Sequence, residues 1–120
     1  VGALLKPVET TQDMAEAVAS EIADADVLIM AAAPADFRPA QVASAKMKKT
    51  GKAPTLALEE TPDILKSTAG HRKAGMIAVG FALETDDVAE NAQKKLAAKQ
   101  LTMIVANSAR EAGAGFGHDT

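Results

Sequence analysis

The sequence predicts an α/β domain built on a mainly parallel sheet. Val27-Leu-Ile-Met30 is an uninterrupted apolar run of the kind found in strands buried on both faces. Two further runs, Met76-Ile-Ala-Val-Gly-Phe-Ala82 and Leu101-Thr-Met-Ile-Val-Ala106, repeat it. Segments of helical period separate the runs, and strands spaced by helices imply parallel pairing with right-handed crossovers. Ligands of such sheets bind beyond the carboxyl ends of the strands.

The elements follow in order. Val1 to Val8 is expected to hold a short strand. Thr10-Thr-Gln-Asp13 offers a capping start to a helix, and Met14, Val18 and Ile22 fall at i, i+4 and i+8 as one apolar stripe. Asp24-Ala-Asp26 ends that helix before the strand Val27 to Met30. Residues 34–54 carry Pro34, Pro39, Gly51 and Pro54 among four lysines, which reads as a long, mobile connection. Leu56 to Leu58 is a candidate short strand. Thr61-Pro-Asp-Ile64 is a helix start, with Thr61 as N-cap, Pro62 at the first helical position and Asp63 in the first turn. Thr85 or Asp86 is expected to cap a helix reaching about Gln100. Four segments then meet at the carboxyl edge: residues 31–38, Thr61 to Leu65, Phe81 to Thr85, and Asn107.

Composition bounds the function. A chain of 120 residues is one domain or part of one, able to bury roughly two-thirds of the surface its unfolded form exposes. It has no cysteine, which excludes disulfides and thiolate metal sites. No stretch approaches the ~20 apolar residues of a membrane-spanning helix, and no signal peptide is visible. A net charge of −3 argues against a nucleic-acid partner, which needs a broad basic face. The cytoplasm is the expected location. Trp and Tyr are absent, and the three Phe (Phe37, Phe81, Phe116) sit at strand ends or in loops. The core must rest on Leu, Ile, Val, Met and Ala.

Several residues point to an anionic ligand. Lys46, Lys48, Lys49 and Lys52 place four positive charges within seven residues of the long connection. A solvated turn is the plain reading. A flap closing over phosphates is the functional one, since lysine is a compact point charge suited to them. On a helical wheel of about 100° per residue, Lys95 and Lys99 fall near Val88 on the apolar side, beside Ala92 and Leu96. Either their stems pack on the sheet while the ammonium groups reach water, or an anion sits between them. The helix start at Thr61 offers free N–H groups and a positive dipole end. Asp36 can accept hydrogen bonds from a sugar or base, or simply face solvent. His71 and His118 are isolated and suggest neither a metal nor acid–base work.

Ala31-Ala-Ala-Pro-Ala-Asp-Phe-Arg38, Lys46-Met-Lys-Lys49, Thr61-Pro-Asp-Ile64, Val79-Gly-Phe-Ala-Leu-Glu-Thr85 and Val105-Ala-Asn107 together resemble the phosphopantothenoylcysteine synthetase domain of coenzyme A biosynthesis. Their order and spacing over about 30–116 carry the resemblance; each motif alone is weak. The family's domain is usually the C-terminal half of a bifunctional bacterial protein, and its upstream half is a decarboxylase that alone would use FMN. The resemblance implies a Rossmann-like three-layer fold and a CTP-dependent ligase. In that reaction the 4′-phosphopantothenate carboxylate attacks the α-phosphate of CTP and releases pyrophosphate. The amine of L-cysteine then attacks the acyl-cytidylate, giving phosphopantothenoylcysteine and CMP. By matching motif, Met30, Ala31 and Ala32 would meet the nucleotide through their backbone, and Asp36 would contact it. Lys46 would bind the triphosphate from a flap at about 44–54 and act catalytically. Pro62, Asp63, Ile64 and Leu65 would present the helix start, Phe81 would pack on the nucleotide, and Lys95 and Lys99 would complete the charge. Mg²⁺ or Mn²⁺ would accompany CTP, and the whole enzyme would be a homodimer.

Two departures matter. Pro34 stands where many relatives have Val, which stiffens the turn and removes an N–H. The family's glycine-rich first strand-helix unit, with an asparagine that handles the acyl-cytidylate, would lie upstream of Val1, so the sheet is expected to be incomplete at its N-terminus. This 120-residue piece is then expected to bind CTP weakly at most and to turn over nothing alone. The rivals are a non-catalytic nucleotide-binding or dimerisation module and a dinucleotide-dependent reductase. Against the reductase, no G-x-G-x-x-G occurs, and Gly113-Ala-Gly-Phe-Gly117 comes late without a following helix.

Overall fold

The computed structural model describes residues 2–111. Phe116, His118 and the Gly113 to Gly117 stretch lie outside the described residues, as does Val1. Helix α1 (Thr11–Glu21) opens on the expected capping box: Thr10 accepts from the Asp13 backbone N–H, and Asp13 accepts from the Thr10 N–H at 3.1 Å. A 3₁₀ turn (Ile22–Asp24) follows, then β1 (Val27–Met30) as expected from its apolar run. Strands β2 (Phe37–Pro39) and β3 (Leu58–Glu60) form a separate antiparallel ladder. Helix α2 (Ile64–Thr68), β4 (Ile77–Glu84), α3 (Val88–Ala98) and β5 (Met103–Ser108) complete the described elements.

The main sheet has order β1-β4-β5 and is parallel throughout, with Val27 opposite Ile77 and Val79 opposite Met103. Side chains alternate between the faces of a strand, and here the two faces differ. Leu28, Met30, Ala78 and Ile104 point into one cluster with Met14, Ala15 and Val18 of α1, Ile64 and Leu65 of α2, and Leu96 of α3. The opposite face leaves Val27, Ile29, Ile77, Phe81, Leu83 and Met103 exposed. Leu101 closes the covered side over Gly80, where a Cβ would lie 2.6 Å from Leu101 Cδ1. Any larger residue there would push the Leu101 side chain aside.

Several boundaries differ from expectation. Residues 2–9 form no strand; the segment is unpaired and held to α1 by Lys6, which meets Glu21 and Ser20 Oγ. Inside the expected loop, β2 was hidden because it is three residues long, ends in Pro39, and pairs with a distant segment. The strand expected at Leu56–Leu58 sits at Leu58–Glu60, where Glu59 faces Arg38 across the ladder at 2.7 Å. Strand β4 runs on to Glu84 because β5 pairs with it to Ser108. Leu101 and Thr102 precede β5, and Thr102 Oγ1 accepts from the Ala78 N–H instead.

Two helix starts are also corrected. Asp63, not Thr61, is the N-cap of α2, accepting from the Lys66 N–H at 3.1 Å. Thr61 Oγ1 is engaged elsewhere, donating to the Ala35 carbonyl at 2.5 Å. Neither Thr85 nor Asp86 caps α3; Asp87 does, in the left-handed region (φ +46°) and without a side-chain bond. The helix stops at Ala98, and Gln100 (φ +52°) turns the chain into Leu101.

Candidate functional site

At the carboxyl ends of β1 and β4 lies a cavity of about 140 Å³, lined by Met30, Ala32, Asp36, Thr61, Pro62, Asp63, Ile64, Leu65, Phe81 and Lys99 with Pro34 and Ala35. It adjoins a wider cleft of about 500 Å³ that shares Ala32, Pro34, Asp36, Phe81 and Lys99 and adds Ala31, Ala33, Ala82, Leu83, Lys95 and Asn107. The cleft falls within the range of small-molecule sites, roughly 300–1,000 Å³. The four segments expected at this edge thus converge there. Lys46 is the exception among the candidate residues: it lines neither space and belongs to the loop beyond the β2–β3 ladder.

Each wall has a local cause. Met30, Ile64 and Leu65 are buried in the core, so only their backbone and neighbours are offered to a ligand. The small side chains at 31–33 keep that backbone approachable. Thr61 fixes the turn after β1: its hydroxyl reaches the Ala35 carbonyl, and its N–H donates to the Asp36 carbonyl at 2.9 Å. Phe81 comes from the strand face that carries no helix among the described residues and is about half exposed at the mouth.

The charges are arranged in pairs. Lys95 and Lys99, placed near the apolar side of the wheel, both line the cleft. Lys95 Nζ lies 2.5 Å from Glu84 Oε1, and Lys99 Nζ lies 3.6 Å from Asp63 Oδ2. Asp63 therefore caps α2 and faces Lys99 at once, which narrows the role expected for a free helix start. Among the described residues, no cluster of three His, Asp or Glu side chains could cage a metal.

Arg72 was not singled out by sequence. Its guanidinium donates to the Gln100 carbonyl at 2.7 Å, the Leu65 carbonyl at 2.9 Å and the Lys99 carbonyl at 3.3 Å. It ties the end of α3 to α2 and so fixes two walls of the cavity against each other. Burial pushes its guanidinium below the usual value. Nothing in a lone arginine within a loop would have announced this. No helix among the described residues is long and apolar enough to cross a membrane.

Residues 2–120 match the family described as the DNA/pantothenate metabolism flavoprotein C-terminal domain. The coenzyme A biosynthesis bifunctional protein CoaBC of Bacillus subtilis (strain 168) is 51% identical over 114 residues, covering 95% of this chain and 28% of that protein. A crystal structure of the C-terminal domain of a coenzyme A biosynthesis bifunctional protein CoaBC superposes with a TM-score of 0.67 at 42% identity, covering 88% of this chain and 51% of that one. The DNA/pantothenate metabolism flavoprotein from Streptococcus pneumoniae shares the Rossmann-type fold, with a TM-score of 0.75 at 22% identity over 91% of this chain and 58% of that one. The chain thus spans little more than a quarter of its full-length relative and about half of the crystallised domain.

Proposed function

Because the chain belongs to the DNA/pantothenate metabolism flavoprotein C-terminal domain family, we propose that it is the nucleotide-binding part of a CTP-dependent phosphopantothenate–cysteine ligase in coenzyme A biosynthesis. The observation that carries this reading is the meeting of an exposed Phe81 ring, approachable backbone at 31–33, and Lys95 and Lys99 around one cleft. A nucleoside triphosphate presents a flat base and three phosphates, which suit the aromatic and backbone surfaces and the lysines respectively.

In this reading the base lies against Phe81 and the backbone after β1, with Asp36 accepting from the sugar or base. Lys95 and Lys99 offset the charge of the phosphates, and Lys46 reaches them when the arm beyond β2 and β3 folds inward. The 4′-phosphopantothenate carboxylate attacks the α-phosphate, and neutralised phosphate oxygens let pyrophosphate leave. The cysteine amine then displaces CMP from the mixed anhydride. Mg²⁺ or Mn²⁺ enters with CTP, and the working enzyme is a cytoplasmic homodimer with a fused decarboxylase.

CTP is expected to raise the unfolding temperature of the chain more than ATP does, and Lys46→Gln to abolish the difference. Equal responses to both nucleotides, or none, would favour a non-catalytic nucleotide-binding or dimerisation module. In the full-length protein, pyrophosphate release should require 4′-phosphopantothenate; no release with CTP and 4′-phosphopantothenate both saturating would sink the ligase reading.

A further inference from the structure

Glu84 ends β4 behind Lys95 and is not part of either cavity wall. Its side chain is 16% exposed, and Oε1 is shut off from solvent without a hydrogen bond of good geometry. Among the described residues, the charge that compensates it is the Lys95 ammonium, 2.5 Å away. A carboxylate oxygen shielded from water is penalised when it loses its counter-ion, so the pairing favours Lys95 staying against the sheet. Lys95 itself is 42% exposed and lines the cleft. Its ammonium has three donors; one faces Glu84, and the others remain for a ligand.

Resting on the nucleotide reading above, we infer that Glu84 is a positioning residue that holds Lys95 at the cleft wall for an incoming phosphate. An unpinned lysine must surrender its rotamer freedom when it captures a phosphate. Glu84 removes that freedom in advance. Its own negative charge opposes the phosphate, but from behind the ammonium and at greater distance, so the effect of position outweighs that of the field.

The two effects predict opposite signs. Glu84→Gln keeps the size of the side chain while removing the charge that holds Lys95. In the full chain it should weaken binding of Mg·CTP about threefold to tenfold, and Lys95→Gln should weaken it at least as much. The double variant should match Lys95→Gln alone, because a residue acting through another shows strong coupling in a double-mutant cycle. Competitive acetylation supplies a readout free of ligand: Lys95 should react several-fold more slowly than Lys94, and Glu84→Gln should remove most of that difference. Tighter or unchanged binding in Glu84→Gln, an additive double variant, or no acetylation difference would each overturn the positioning role. If acetylation behaves as stated but Lys95→Gln leaves Mg·CTP binding intact, the nucleotide reading of this site fails, and the phosphate-directed role of Glu84 with it.

Discussion

Leu101 lies so closely over Gly80 that any side chain at position 80 would have to displace it. A Cβ at position 80 would stand 2.6 Å from Leu101 Cδ1, and Leu101 is itself buried at 7% exposure. The leucine cannot move aside without opening the cluster it shares with Met30, Ile64, Leu65 and Ala78. Gly80→Ala should therefore destabilise the chain by about 1–3 kcal/mol, the cost of overpacking a filled core. Urea unfolding measures it; a change below about 0.5 kcal/mol would mean that Leu101 has room to retreat.

Arg72 predicts a second loss, of a different kind. Its three bonds end on the carbonyls of Leu65, Lys99 and Gln100, acceptors at the ends of two helices that have few other partners. Arg72→Lys keeps the charge but cannot reach all three with one ammonium. Stability should fall by about 2 kcal/mol, and amide exchange should quicken around Leu65 and Lys99 together. Equal stability of the Lys variant would show that charge alone suffices.

The parallel sheet was legible because its strands are apolar runs with few competing readings. Val27 to Met30 has the same limits in sequence and structure. What escaped were features set by distant partners. Strand β2 exists only because Leu58 to Glu60 lies beside it, and no local periodicity reports that. Thr61 is a good N-cap by type, yet its hydroxyl is better used on the Ala35 carbonyl, and Asp63 takes the cap.

The site was legible through its anomalies. Lysines on the apolar side of a helix marked Lys95 and Lys99, but the carboxylates that meet them, Glu84 and Asp63, come from other elements and gave no signal as partners. The flap lysines were conspicuous in sequence, and Lys46 nonetheless stands apart from the cleft. Charge density alone says nothing of where a loop rests.

Two surface carboxylates tie stability to acid pH. The Thr10 backbone N–H, with its hydroxyl and the Glu9 N–H, holds Asp13 below its ordinary value of 3.8. Lys73 does the same for Asp26, through a hydrogen bond and its charge. Both folded values lie below the unfolded ones, so their stabilisation is complete above 3.8 and lost as pH falls through the folded values. Asp13→Asn and Asp26→Asn should each flatten the acid limb of stability against pH while leaving its shape near neutrality unchanged. The Asp26 effect should shrink in high salt, as an exposed ion pair is screened. Retention of the full acid slope in the double variant would contradict this assignment.

Asp63 performs two tasks that substitution can separate. It caps α2 through the Lys66 N–H and faces Lys99 at 3.6 Å from within the cavity wall. Asn caps as well as Asp, whereas Ala does not. Asp63→Asn should thus cost only a few tenths of a kcal/mol, and Asp63→Ala about 1 kcal/mol, because an ion pair this long and this exposed adds little. Anion binding should change in the other direction from the Glu84 case. Glu84 is mostly shielded behind its lysine at 16% exposure, while the Asp63 carboxylate is 41% exposed and shares the cavity with whatever binds there. Its charge competes directly with a phosphate and holds Lys99 only loosely. Asp63→Asn should therefore tighten binding of inorganic triphosphate several-fold, measured by calorimetry at constant ionic strength. Weaker binding in Asp63→Asn would show instead that the carboxylate itself takes part in holding the ligand.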